Sequence, residues 1–82
     1  MASFINQFLE NYSIITLHGN KEIYIENFKS IISITDNIIR IKANNTIITI
    51  SGSSLHMEYY NNYDIKIHGI INKIAFGEND NE

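Results

Sequence analysis

The sequence predicts an all-β fold: an antiparallel β-meander bent into a small sandwich or roll, with a short N-terminal α-helix. From residue 13 onward, apolar and polar residues alternate with a period of two, which is typical of strands covering one core. Clusters of Gly and Asn interrupt this alternation at short intervals and indicate turns. The segments ITLHG, ISITD, ITISG and IKIHG begin at residues 15, 32, 48 and 65. In each repeat, a strand ends at a corner formed by Gly, Asn or Asp. The repeats are too few for a solenoid.

The two ends of the chain differ from this pattern. Residues 1–12 place Phe4, Phe8 and Leu9 at helical spacing behind Ser3, an N-cap residue, and we expect an amphipathic helix over Ala2 to Glu10. These three side chains should pack on the sheet or on a partner. Residues 77–82, GENDNE, are acidic and contain no apolar side chain, which predicts a disordered tail.

Residues 13–76 should form the β-meander domain, with seven or eight short strands. The apolar face changes parity near Gly52 and again near Gly69. Such a change indicates a bulge or bend inside a strand, or else a tight turn between two separate strands. The residues expected in the core are Ile15, Leu17, Ile23, Ile25, Ile39, Ile41, Ile48, Ile50, Leu55, Ile65, Ile67, Ile74 and Phe76.

Composition excludes several classes of protein. A chain of 82 residues is one small domain, and the absence of Cys rules out disulfides, thiolate metal sites and a catalytic thiol. The net charge is -3 and the basic residues are scattered, which argues against nucleic-acid binding. No apolar run approaches the ~20 residues of a membrane span, and no leader pattern precedes the first helix. We therefore expect a cytoplasmic protein that does not itself cross a membrane.

The residues best suited to chemistry are His18, His56 and His68, which all fall on the polar face. No metal-binding spacing joins two of them on one element, so we expect exposed histidines, with no metal, cofactor or catalytic residue. The SGSS segment at Ser51 to Ser54 lacks a motif that would activate a nucleophile. An enzyme is not expected. Tyr59, Tyr60 and Tyr63 cluster near Asn61-Asn62, where aromatic rings can stack on a ligand or pack over the end of a hairpin.

Several local matches occur in a characteristic order. A corner at Gly19 is followed by IYIEN (residues 23–27), IIRIKAN (38–44), ITISGSSL (48–55) and IKIHGIINKIAF (65–76). In this order and spacing the chain resembles the YabP/YqfC family of small sporulation proteins, and the YqfC branch most closely. One departure is the turn at Asn44-Asn45, where the family would carry a Gly; Asn also tolerates the left-handed conformation.

The resemblance implies a non-enzymatic protein made in the mother cell of an endospore-forming bacterium. It would act in spore envelope (coat or cortex) morphogenesis with a membrane-anchored sporulation protein of the YqfD type, which would hold it at the membrane periphery. The alternative is a small β module that binds a glycan or peptidoglycan fragment through the tyrosines.

We expect the contact surface to include the final strand, IINKIAF, predicted to be an open sheet edge with Lys73 as its sole charge. By alternation, Ile71 and Ala75 should lie on the face of this strand that points away from the core. Together with Phe4 and Phe8, these residues would bind the partner or a second copy of the chain, unless the N-terminal helix covers the strand and leaves a monomer.

Overall fold

The computed structural model describes residues 12–77 and contains six β-strands within them. Their bounds are β1 Ile14–His18, β2 Glu22–Glu26, β3 Ser30–Ile34, β4 Ile38–Lys42, β5 Ile47–Tyr60 and β6 Asp64–Gly77. The strands are fewer than the seven or eight expected, because β5 and β6 each continue for 14 residues through a predicted corner. The predicted N-terminal helix and most of the predicted acidic tail lie outside the described residues. Within residues 12–77, no helix is long and apolar enough to cross a membrane.

All strand pairs between residues 12 and 77 are antiparallel, and the strand order is β1-β2-β6-β5-β4-β3. The predicted all-β antiparallel fold is therefore confirmed, but the order is not that of a simple meander, because β2 pairs with β6 and not with β3. The first part of β6 and the last part of β5 extend the β1-β2 hairpin. The first part of β5 and the last part of β6 extend the β3-β4 hairpin. The long β5-β6 hairpin thus runs through two half-sheets. The β1 half consists of β1, β2, the last part of β5 and the first part of β6, and the β3 half consists of β3, β4, the first part of β5 and the last part of β6.

The β5-β6 hairpin bends where it passes from one half to the other. The pairing shifts register between Ser51 and Gly52 and again between Ser53 and His56, and Ser54 has a positive φ of 55°. In β6 the inward-facing residues Ile67 and Ile71 are both odd-numbered, and the next residue packed on the core is the even-numbered Ile74. The inward face therefore changes from odd to even positions after Ile71 and not at Gly69. The bulge interpretation is therefore correct, although each change of face falls a few residues beyond the predicted glycine.

Gly52 and Gly69 are needed because the two strands approach closely at this bend. A Cβ on Gly52 would lie 1.9 Å from the backbone oxygen of Ile70. A Cβ on Gly69 would lie 2.7 Å from the backbone oxygen of Ser54, and Gly69 also has a φ of 146°. The hairpin can bend sharply only where both positions lack a side chain.

One contiguous core lies between the two half-sheets. Nine predicted residues are buried in it: Ile23, Ile25, Ile39, Ile41, Ile48, Ile50, Leu55, Ile65 and Ile67. Ile15 and Ile74 are partly buried against this cluster. Leu17 and Phe76 were wrongly assigned to the core, since they are 48% and 62% exposed. Leu17 lies on the outermost strand, and Phe76 lies near the end of β6, where β5 is its only paired neighbour among the six described strands.

The core also contains three residues that were not predicted, Phe28, Ala43 and Ile71, and Ile47 is buried outside this cluster. Phe28 lies in the β2-β3 connection, outside the alternation of the strands, whereas Ala43 follows β4 at the same parity as the buried Ile39 and Ile41. The Asn-rich turns do form as predicted. In the β5-β6 turn, the Asn61 side-chain oxygen accepts hydrogen bonds from the backbone N–H groups of Tyr63 and Asp64, each at 2.8 Å.

Candidate functional site

The three histidines of the chain lie in one row across the outer face of the β1 half. His18 in β1 pairs with Glu22 in β2, Glu22 pairs with His68 in β6, and His68 pairs with His56 in β5. Directly opposed residues of an antiparallel sheet point to the same face, with Cβ atoms about 5 Å apart. The histidine row, defined as His18, Glu22, His68 and His56, is thus a continuous polar line over four strands.

Glu22 is the centre of the contacts in this row. Its Oε2 lies 3.2 Å from His18 Nδ1 and 3.4 Å from Lys66 Nζ, while its Oε1 lies 3.5 Å from His68 Nε2. The Glu22 side chain is 19% exposed, which is less than that of any of these three partners. One carboxylate on β2 therefore connects side chains from both neighbouring strands, β1 and β6.

A second carboxylate reaches the row because of a bulge. The β5-β6 register shifts between Met57 and Tyr59, so Glu58 is the extra residue on β5. A bulge commonly redirects a side chain, and here Glu58 Oε1 lies 3.9 Å from His68 Nε2. The rings of His68 and His56 are also neighbours, with centroids 5.9 Å apart.

The electrostatics of the row favour an ionised Glu22. The hydrogen bond with His18, assisted by Lys66, holds the pKa of Glu22 below its ordinary value of 4.5 against a smaller opposing effect of desolvation. Close by, the Tyr24 hydroxyl donates a 2.9 Å hydrogen bond to Asp64 Oδ2. This bond raises the pKa of Tyr24 above 10.0, because the neutral phenol is the form that donates.

These side chains line a shallow groove of about 610 Å³ on the outer face. We call it the outer groove, and its lining residues are His18, Glu22, Tyr24, Glu58, Tyr59 and Lys66. The groove brings together imidazole, carboxylate, ammonium and phenol groups, a set suited to binding a cation or a polyhydroxyl compound. The contact between Ser54 and His56 Nδ1 is made by the Ser54 backbone oxygen, at 3.3 Å.

The tyrosines near the β5-β6 turn have different roles. Tyr59 lines the outer groove, and its hydroxyl accepts a 2.6 Å hydrogen bond from the Asn61 side chain. Tyr60 packs near Phe28, with ring centroids 6.1 Å apart. Tyr63 is exposed. Only part of the predicted tyrosine cluster therefore faces the groove.

The residues predicted to contact a partner are dispersed in the structure. Ile71 is 7% exposed and belongs to the core, so its placement opposite the core face was wrong. Lys73 is exposed and Ala75 is partly buried, both on the last part of β6. Phe4 and Phe8 lie outside the described residues. The role of all five in binding a partner stays a prediction.

Sequence reasoning placed the histidines on the polar face but did not bring them together. Their alignment depends on the β2-β6 pairing, which joins residues about forty positions apart and leaves no local signal. The position of Glu58 depends on a bulge that is equally invisible in the alternation. His18 and His68 occupy equivalent positions in the sequence repeat. This equivalence was the only feature of the sequence that linked two members of the histidine row.

Comparison with known proteins places the whole described sheet in one family. The YabP family model matches residues 10–82. The chain belongs to the YabP family. The match includes all six strands and the histidine row, and membership in the YabP family associates the chain with sporulation. No curated protein and no solved structure matches the chain.

Proposed function

We propose that this YabP-family chain is a non-enzymatic interaction protein of the mother cell that acts in spore envelope morphogenesis. Its partner would be a membrane-anchored sporulation protein of the YqfD type, as the resemblance to the YqfC branch implies, and the chain would act in the cytoplasm at the membrane periphery. The observation that carries the proposal is the uncharged edge of β3, which no other strand of the described residues covers. A partner strand or an apolar partner surface fits such an edge better than a small-molecule substrate does.

The β3 strand, Ser30–Ile34, is the outermost strand of the β3 half and, among the described strands, pairs only with β4. Its sequence, SIISI, contains no charged residue. Natural edge strands usually carry charges or Pro, because unpaired N–H and C=O groups readily accept another strand. Here Ile32 and Ile34 are 37% and 41% exposed beside those groups. This combination favours β-augmentation or apolar docking by another protein.

A bulge between Ile31 and Ser33 interrupts the β3 edge. Bulges limit edge-to-edge pairing, so the straight part available to a partner strand is short. We therefore expect the exposed side chains of Ile32 and Ile34 to contribute much of the binding. The interaction would then be specific to a partner with a complementary apolar pocket.

The test is a charge placed on the β3 edge. Ile34→Lys should abolish co-purification with a YqfD-type protein of the same organism, and it should impair sporulation when it replaces the natural chain. Ile38→Lys is the matched control, because Ile38 is 43% exposed but lies on β4, an interior strand. Circular dichroism should show that both variants fold.

Three results would contradict the proposal: normal sporulation after deletion of the gene, unchanged co-purification of folded Ile34→Lys, or equal losses in Ile34→Lys and Ile38→Lys. The alternative is that a second copy of the chain binds the β3 edge. Sedimentation of the chain at tens of micromolar tests this alternative. A dimer that Ile34→Lys converts to the 9.5 kDa monomer would assign the β3 edge to self-association.

The second candidate function is binding of a glycan or peptidoglycan fragment in the outer groove. It is favoured by Tyr24 and Tyr59, which lie in the same groove as Glu22, Glu58 and Lys66. Aromatic rings beside hydrogen-bonding groups are suited to sugar binding. Muropeptide titration should then shift the NMR signals of Tyr59 and Tyr24 and leave those of Tyr63 unchanged. Absence of any shift at millimolar ligand would exclude this function.

A further inference from the structure

The histidine row contains side chains that are common ligands of transition-metal ions. One ligand atom each from Glu22, Glu58 and His68 lies within 4.8 Å of the other two. The three residues come from β2, β5 and β6, so the sheet itself fixes their relative positions. A set of imidazole nitrogen and carboxylate oxygens is one that Zn²⁺ accepts.

The separations between these atoms are close to those of a coordinated ion. Zinc lies about 2.0–2.2 Å from nitrogen and oxygen ligands, so tetrahedral ligands are roughly 3.3–3.6 Å apart. His68 Nε2 lies 3.5 Å from Glu22 Oε1 and 3.9 Å from Glu58 Oε1. All three ligand atoms lie within 4.8 Å of one another, so side-chain rotation must shorten the widest separation by about 1 Å for them to share one ion. We propose that Glu22, Glu58 and His68 bind a divalent transition-metal ion of the Zn²⁺ type.

His18 and His56 complete the surroundings of this site. His18 Nδ1 contacts Oε2 of Glu22, the oxygen that does not face His68. It would orient the carboxylate, as outer partners of metal ligands do. His56 lies on the other side of His68, with ring centroids 5.9 Å apart.

Lys66 competes with the metal ion for Glu22. Its Nζ lies 3.4 Å from Glu22 Oε2, and its ammonium group offsets one of the two carboxylate charges. Removal of this charge should strengthen cation binding, because the cluster then carries the full charge of both carboxylates. A collection of unrelated surface histidines would not show this dependence, and so Lys66 supplies a specific test.

The experiment is a calorimetric Zn²⁺ titration of the full, untagged chain near neutral pH, with Co²⁺ absorption as a second measurement. We expect one ion per chain. Glu22→Gln, Glu58→Gln and His68→Asn should each weaken binding by about tenfold or more, as losses in metal sites commonly do. Lys66→Met should tighten binding severalfold. Lys73→Met is the matched control, since Lys73 is an exposed lysine on the same strand outside the row, and it should have no effect.

Several outcomes would overturn the proposal. The first is that the chain does not bind Zn²⁺ at micromolar concentration. The second is that Glu22→Gln and Glu58→Gln leave the affinity for Zn²⁺ unchanged, and the third is that Lys66→Met and Lys73→Met have the same affinity. Unchanged NMR spectra and urea midpoints without metal would show that each variant is folded. Because the row lies on the β1 half and the partner edge on the β3 half, this site and the proposed function can fail independently.

Discussion

The substitution Gly52→Ala should cost more stability than its single methyl group suggests. The added Cβ would lie 1.9 Å from the Ile70 backbone oxygen, whereas real Cβ atoms essentially never approach within 3.0 Å of another atom. The obstacle is backbone and cannot rotate away as a side chain does, because Ile70 is paired with Ser53. The β5-β6 hairpin must shift at its bend. We expect a loss of about 3 kcal/mol or more, at or above the upper end of overpacking penalties.

Gly19→Ala provides the matched comparison. Gly19 has a positive φ of 60°, and a Cβ added there would meet no atom within 4 Å. Its replacement should cost only the left-handed backbone penalty, about 1–2 kcal/mol. The two variants therefore separate steric collision from backbone strain while introducing the same methyl group.

Urea unfolding followed by far-UV circular dichroism and tyrosine fluorescence measures both losses, since the chain has no Trp. With a slope of about 1 kcal/mol per molar urea, the Gly52→Ala midpoint should fall by about 3 M. A domain of this size has a total stability of about 4–12 kcal/mol, so the loss is a large fraction of the free energy of unfolding. If Gly52→Ala loses no more than Gly19→Ala, the close approach of β5 and β6 at the bend is refuted.

Three further predictions concern the core and the outer groove. Ile50→Ala should lower stability by ~2–5 kcal/mol, measured in urea, since Ile50 is fully buried; a loss under 1 kcal/mol would contradict its place in the core. The hydrogen bond from His18 lowers the pKa of folded Glu22, so its contribution to stability is present above pH 4.5 and is lost as the pH falls through the lowered value. As the pH is lowered, the urea midpoint of Glu22→Gln should therefore fall less than that of the unaltered chain. Equal declines would contradict the stabilising contribution of the ionised Glu22 side chain. Tyr24 should ionise above pH 10.0 in an NMR titration, and Asp64→Asn should lower that pKa; an unchanged pKa would disprove the role of Asp64.

The alternation of residues predicted much of this fold because the strands have one buried and one solvated face. Ile23, Ile25, Ile65 and Ile67 are buried as their parity requires. Parity indicates which face a side chain occupies, but not how far it lies from the rim of the sheet. For that reason Phe76, which opposes the buried Ile48, is nevertheless exposed.

The candidate site was less accessible to sequence reasoning. Alternation placed His18, His56 and His68 on the polar face, and the structure agrees. Their meeting point at Glu22 requires the non-local pairing of β2 with β6, together with a bulge that adds Glu58. Neither feature has a residue signature as distinct as the glycines at the bend, because the pairing depends on how two hairpins dock and the bulge inserts a residue that alternation does not mark.

The long β5-β6 hairpin also has a kinetic consequence. Among residues 12–77, every strand pairing joins consecutive strands except that of β2 with β6. Loop closure costs less entropy for hairpins of consecutive strands than for the pairing of β2 with β6, so we expect the β2-β6 pairing to form late in folding. If the β5-β6 hairpin forms first, it provides the template on which the β1-β2 and β3-β4 hairpins dock. Asn61→Ala in its turn should then slow folding more than it accelerates unfolding, with a φ-value nearer one than zero in stopped-flow measurements.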